Sequence, residues 1–448
     1  MRKRKKKRIE LLVFGISVLV LVTAGIFGGS FIFNNLQETE KVVESSEDNS
    51  ENEEVEIPET ISEREEKDEN SFEKHQEKQP EEKIETIDEK QEEHMDLVQS
   101  VQESLENMTL EQKIAQMFMI TPEALTGYSS VTQASDVTKN ALQEYPVGGI
   151  IFMGNNVVDQ EQLKQMTSNL QTYAMEISEV PLFLGIDEEG GTVARIGNNE
   201  NFSVKKFSNM SSIGAQNDLG QAYEVGDTIG AYLSEYGFNL DFAPVADVLS
   251  NQENQVVKER CFGNEPEQVA AMDLEVMEGL QNHNVYACMK HFPGHGGTAG
   301  DTHQGYAYTK STLEEMKEFD LIPFQKGIDQ GISFIMISHI SVPNGVEEDV
   351  PASISYELVT ELLREEMGYE GIAITDAMNM GAITENYGTG EATVRAIEAG
   401  IDIVLMPKDF KQAYNAVVEA VNSGRIPEER IDESVKRILA VKKQKEIL

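Results

Sequence analysis

Three short signatures that would point at once to a chemistry are missing. No HExxH occurs in the 448 residues, which removes the helix-borne histidine pair of zinc peptidases. Neither GxGxxG nor a P-loop occurs, so no phosphate cradle for a dinucleotide or a nucleoside triphosphate is recognisable. Cysteine is scarce: Cys261 and Cys288 are the only two, enough for one disulfide and too few for a stapled framework. Both fall in or beside core strands, so a bond between them is not expected. Basic charge is also in deficit, with 37 Lys and Arg against 79 Asp and Glu and a net charge of -42. That balance argues against nucleic acid as a partner. Tandem sugar-binding repeats are absent as well, which speaks against a purely wall-binding protein.

The N-terminus has a different character. Arg2 to Arg8 are all basic, and the run from Leu11 to Phe33 has no charged residue. Some 20 apolar residues cross a bilayer core, so 11–33 is expected to be a transmembrane helix. The basic tail, 1–10, is expected to stay cytoplasmic and the rest to face outward. A cleaved signal peptide fits less well, because the apolar region is long and no convincing A-x-A site follows. No cysteine follows the run either, so no lipoprotein anchor is expected. Residues 34–95 are Glu-, Lys-, Ser-, Asn- and Gln-rich with almost no aromatics. Such a segment cannot bury enough apolar surface to offset chain entropy, and it reads as a disordered acidic stalk.

From residue 96 to 448 the composition suits one large folded domain. Met108 to Lys113 looks like a helix start, with Thr109 as cap and Gln112 three residues on. Eight short apolar runs follow: Met117 to Ile120, Gly148 to Phe152, Leu182 to Ile186, Leu240 to Pro244, Val285 to Met289, Phe334 to Ser338, Gly371 to Thr375 and Asp402 to Met406. Amphipathic stretches separate them. Continuous apolar strands alternating with helices predict an α/β fold with a parallel sheet covered by helices, and eight units predict a (β/α)8 TIM barrel. A doubly wound open sheet is the alternative. In a barrel the site lies beyond the strand ends, where Asp187-Glu188-Glu189, Asp247, Lys290-His291, His339 and Asp376 all stand. Asp376 ends an apolar strand with no basic neighbour in sequence and reads as a nucleophile, or as the N-cap of the next helix.

The stretch from Lys290 to His303 holds three of the seven histidines, and Pro293 with the glycines from Gly294 to Gly300 forbids a regular helix. Three readings compete for it. A zinc site would draw on His291, His295, His303 and Asp301, though the i, i+4 pair lacks a helix to carry it. The histidines could merely satisfy backbone groups in a tight turn. In the third reading Asp301 bonds His303 across a turn and fixes its tautomer, making a general acid/base.

The motifs MTLEQKIAQMF, VGGIIFMGNN, GIDEEGG, GFNLDFAPVADV, ERCFG, KHFPGHG with DTH behind it, ISHI and ITDAMNMGAI resemble glycoside hydrolase family 3. The likeness is to its single-domain β-N-acetylglucosaminidase (β-N-acetylhexosaminidase) branch, from about Asn107 to Leu439. It implies Asp376 as nucleophile, Asp301 with His303 as acid/base dyad, and Asp187, Arg260, Lys290 and His291 as the groups that hold an N-acetylglucosamine unit. It implies no cofactor and no metal. Thr192 and Gly297 depart from the arginine and aspartate common in the family, which bears on aglycone binding, while Arg195 matches. With no second domain to donate a glutamate, the loop histidine is expected to take the acid role. The function so implied is a retaining hydrolase that removes terminal N-acetylglucosamine from peptidoglycan or muropeptide glycans. A β-N-acetylglucosaminide phosphorylase and an inactive wall-binding protein are the rivals.

Overall fold

The computed structural model describes residues 87–444 except Gln304 and Tyr306. The expected cytoplasmic tail and membrane span lie outside the described residues, as does most of the expected stalk. Among the described residues no helix is long and apolar enough to cross a membrane. A helix runs over Ile87–Asn107, so the boundary expected at residue 96 falls within it. Val101 and Leu105 on its last turns, within the domain expected from residue 96, are buried in the core.

Eight strands form the centre: β1 (Phe118–Ile120), β2 (Gly149–Phe152), β3 (Phe183–Ile186), β4 (Leu240–Asp241), β5 (Tyr286–Phe292), β6 (Phe334–Ile337), β7 (Ile372–Thr375) and β8 (Val404–Leu405). From β1 to β7 each strand pairs in parallel with the next, and β8 pairs with β1. A parallel bridge between Ile374 and Ile403 joins β7 to the last strand segment and closes the ring. The sheet is thus a barrel rather than an open doubly wound sheet. Burial explains the run-like strands: one face fills the interior and the other lies under helices, so neither needs polar residues. Every residue of β2, β3, β6 and β7 is buried.

The helix before β1 starts as its sequence predicts. Thr109 Oγ1 accepts from Gln112 N (3.3 Å) and Gln112 Oε1 accepts from Thr109 N (2.9 Å). Helices Leu219–Glu235 and Pro266–Gln281, which precede β4 and β5, cross at glycines. A Cβ on Gly226 would sit 2.2 Å from Val276 O and one on Gly279 2.3 Å from Asp227 N. Only hydrogen fits there, and the close crossing sets where β4 and β5 emerge.

The opposite end of the barrel is closed by buried charge. Asp402, just before β8, is wholly buried and accepts from Ala373 N, Arg364, Ser434 and Arg437. Lys442, also buried, donates to Gln116 Oε1 (2.9 Å) and Gly148 O (2.7 Å). Burial holds its ammonium well below the usual lysine range. Asp402 precedes β8, and Lys442 bonds to residues that precede β1 and β2, so neither belongs to the mouth.

Candidate active site

Beyond β3 the chain turns at Gly190 and Gly191, with φ of 86° and 58°, a left-handed pair that side chains rarely adopt. Glu188, buried beneath this hairpin, accepts from Ile196 N (2.8 Å), Gly197 N (2.6 Å) and the Tyr232 hydroxyl (2.8 Å). The hairpin therefore returns Arg195 to Asp187, with Nη2 3.2 Å from Oδ2. Lys290 enters from β5 and donates to Asp187 Oδ1 (2.9 Å) and Glu189 Oε1 (2.6 Å). Arg260 clasps Glu189 with Nε and Nη2 at 2.8 and 2.7 Å, the two-pronged geometry that guanidinium favours. Burial works against ionisation of Glu189, but Arg260 and Lys290 outweigh it and hold the carboxyl at about 2.

That pairing gives a pH signature. A carboxylate depressed from 4.5 to about 2 contributes stability that is fully present above its unfolded value and is lost as pH falls toward 2. The wild-type unfolding midpoint should fall across this window. Glu189→Gln should start lower at neutral pH, because Lys290 and Arg260 lose a buried counter-charge, and its curve should be flatter below pH 4.5. Parallel curves in denaturant melts at several pH values would show that Glu189 is not held ionised.

Lys290 and His291 lie inside β5, which continues past Met289, where the apolar run stops. The pairing of β5 with β6 shifts register between Met289 and Phe292. Such an irregularity re-aims side chains that a regular strand would send to opposite faces. Both residues thereby reach the same network. His291 Nδ1 is 2.7 Å from Asp247 Oδ2, and Asp247 Oδ1 also accepts from His295 N at 2.6 Å. A carboxylate on Nδ1 fixes the proton there, so Nε2 faces Arg260 Nη2, 3.4 Å away, as an acceptor. Asp187, Arg260, Lys290 and His291 are thus brought together. The two acids that join them, Glu189 and Asp247, are the residues whose part the sequence reading missed. Both stood among the strand-end residues, but nothing in the chain showed that they would pair with Arg260, Lys290 and His291.

Asp376 leaves β7 with its N–H on Ile337 O (2.8 Å) and its Oδ1 accepting from Ala377 N (2.7 Å). It does not cap the next helix, Gly381–Thr384, whose N-cap is Met380. Burial opposes the charge of Asp376, yet His339, His291, the Ala377 N–H and Lys290 lower its pKa overall and keep it ionised. His339, after β6, sits between Ser353 Oγ (2.8 Å from Nδ1) and Ala377 O (3.0 Å from Nε2).

The glycine-rich loop divides in two. Its first part is packed: a Cβ on Gly296 would lie 1.8 Å from Val248 O, and buried His295 meets Thr298 Oγ1 at 2.8 Å. Burial lowers the His295 pKa, so this ring is a neutral element of the turn. The second part reaches solvent. Asp301 Oδ1 accepts from His303 N (2.9 Å) and stands 2.8 Å from His303 Nδ1, with side chains 29% and 60% exposed. A proton on Nδ1 leaves Nε2 as the nitrogen that can exchange one. The loop is tied to the chain after Asp376, because Ala382 N donates to Thr302 O (3.1 Å). The zinc reading fails on direction: His291 turns to Asp247, His295 to Thr298 and His303 to Asp301. Cys261 and Cys288 are buried and free, and burial pushes the Cys261 thiol up to about 12. A groove of about 630 Å³ between helices Thr389–Ala399 and Phe410–Asn422 shares none of these residues.

Residues 109–441 match the profile of the glycosyl hydrolase family 3 N-terminal domain. Beta-hexosaminidase A of Pseudoalteromonas piscicida is 34% identical over 326 residues, 67% of this chain and 54% of its own length. The chain therefore spans about half of that relative. Beta-hexosaminidase LpqI of Mycobacterium tuberculosis is 29% identical over 341 residues, 74% of this chain and 82% of its own. Among solved structures, a glycoside hydrolase family 3 β-N-acetylglucosaminidase from Paenibacillus sp. superposes with a TM-score of 0.70 at 38% identity, over 75% of this chain and 62% of that one. With the barrel over the same span, this chain belongs to glycosyl hydrolase family 3, and residues 109–441 form its glycoside hydrolase domain.

Proposed function

We propose that the protein is a retaining β-N-acetylglucosaminidase acting on terminal, non-reducing N-acetylglucosamine of peptidoglycan-derived glycans. Asp376 attacks the anomeric carbon while His303 protonates the leaving oxygen, and a covalent glycosyl-enzyme forms. His303, then neutral, takes a proton from water as that water displaces Asp376, so the configuration is retained. Asp301 holds the imidazole by Nδ1 in both steps. Asp187, Lys290, Arg260 and His291 hold the sugar hydroxyls, and they are fixed by hydrogen bonds and ion pairs before substrate arrives, which avoids reorganisation during reaction. The names of the relatives, beta-hexosaminidase and β-N-acetylglucosaminidase, support the sugar. The observation that carries the mechanism is the bonded Asp301–His303 pair on a loop tied through Thr302 to the segment following Asp376. The enzyme would be held at the cell membrane by residues 11–33, a single pass, with the domain outside.

Defined muropeptides offered to intact cells test the whole reading. Free N-acetylglucosamine in the medium, with and without added phosphate, is the expected product. A sugar phosphate formed only when phosphate is present would make the protein a phosphorylase. Turnover seen only after lysis would reject the outward topology, and no turnover at all would favour a silent binding protein.

A further inference from the structure

We infer that Ser353, acting through His339, is a positioning residue that fixes the backbone of Ala377 and with it the carboxylate of Asp376; this rests on Asp376 being the nucleophile proposed above. The argument begins from the hydrogen-bond types. Ala377 O can only accept, so the His339 nitrogen 3.0 Å from it, Nε2, carries the proton. A neutral imidazole has one N–H, which makes Nδ1 an acceptor. The group 2.8 Å from Nδ1 is the Ser353 hydroxyl, which must therefore donate. Burial lowers the His339 pKa, against the opposing pull of Asp376 and the Ala377 carbonyl, and agrees with a neutral ring.

Among the described residues, neither side chain has another hydrogen bond that could replace the one between them. Ser353 and His339 are buried, and Ser353 N is committed to Ser338 O at 3.0 Å. Ala377 is consequently held on both sides of its Cα: His339 takes its carbonyl, and its N–H is spent on Asp376 Oδ1 at 2.7 Å. Without the serine hydroxyl, Nδ1 would stay in a buried site with no donor, a costly state. The ring could regain a partner only by turning or by moving its proton. Either change releases the Ala377 carbonyl, and the N–H that orients the carboxylate loses its anchor. A small displacement of a nucleophile is enough to slow attack strongly.

Full-length enzyme, its Ser353→Ala and Ser353→Thr variants, a nitrophenyl N-acetylglucosaminide and a fluorinated slow substrate for mass labelling make the test. Ser353→Ala should lower the single-turnover rate of nitrophenolate release about tenfold or more, with the half-saturating concentration unchanged. The acidic limb of that rate should move to higher pH, because Asp376 loses a fixed N–H donor while Lys290, His291 and His339, the other groups facing it, remain. Ser353→Thr, which keeps the hydroxyl, should recover most of the rate. A wild-type rate and acidic limb in Ser353→Ala, or a folded Ser353→Thr no better than Ser353→Ala, would overturn the inference. The wild-type protein supplies a check that needs no variant: nitrogen NMR of His339 should show a neutral ring with its proton on Nε2, and an imidazolium or an Nδ1 proton at neutral pH would overturn it. Labelling of the wild type at a residue other than Asp376 would instead remove the nucleophile assignment, and this inference with it.

Discussion

Asp376→Asn should leave the barrel folded and cut turnover at least about a thousandfold. The amide oxygen can still accept from Ala377 N, and the groups nearest the lost charge include His339, a neutral ring whose bonds do not involve the carboxylate. Because the neighbours hold this carboxylate ionised in spite of burial, removing its charge should lower the thermal midpoint modestly and leave the cooperative transition intact. What goes is the carboxylate that bonds to the anomeric carbon. A slow fluorinated substrate should add one sugar to the wild-type mass and none to the variant. Activity within tenfold of wild type, or a labelled variant, would show that another group attacks.

The second large effect depends on the leaving group. His303→Ala should slow bond cleavage on a muropeptide by about 10²- to 10⁴-fold, the usual range for general acid help. A nitrophenyl glycoside should suffer far less in its first step, since nitrophenolate departs without a proton. Water attack can limit the steady state for that substrate, so the release must be read before it. The exposure of the dyad makes the comparison clean: His303 is 60% exposed and Asp301 its bonded partner, so the substitution leaves no cavity. Asp301→Asn should act in the same direction and more mildly, because it loosens the ring without removing it. Equal losses on the two substrates would mean that His303 is only part of a turn.

Parts of this molecule were legible in the chain because they are local. The eight apolar runs became the eight barrel strands, since a strand buried on both faces has nothing polar to disguise it. Asp187, His339 and Asp376 stood where those runs stop, and the barrel brings such ends to one mouth. Other parts depend on residues that meet only after folding. Arg260 and Glu189 are separated by 71 positions, and no periodicity links them. The register shift between Met289 and Phe292 was hidden too. The apolar run stops at Met289, while the strand goes on through Lys290 and His291, whose side chains bond to buried carboxylates. His295 stood open in the chain between a weak ligand reading and a turn residue, and its burial against Thr298 decides for the turn.

The buried contacts at the closed end of the barrel bear on how the chain matures. Ser434, Arg437 and Lys442 lie on the helix Glu428–Lys442 and bond to groups before β8, before β1 and before β2. While a ribosome is still decoding that helix, Asp402 lacks two of its donors, and Gln116 and Gly148 lack the ammonium between them. Intermediates at that stage are a partly paired sheet with a buried carboxylate incompletely neutralised, a species prone to sticking to others. Contacts spanning most of the chain are also slow to form. The nascent polypeptide therefore needs shelter until the helix Glu428–Lys442 has emerged, and a stop codon within that helix would yield a product for the proteases rather than a weaker enzyme.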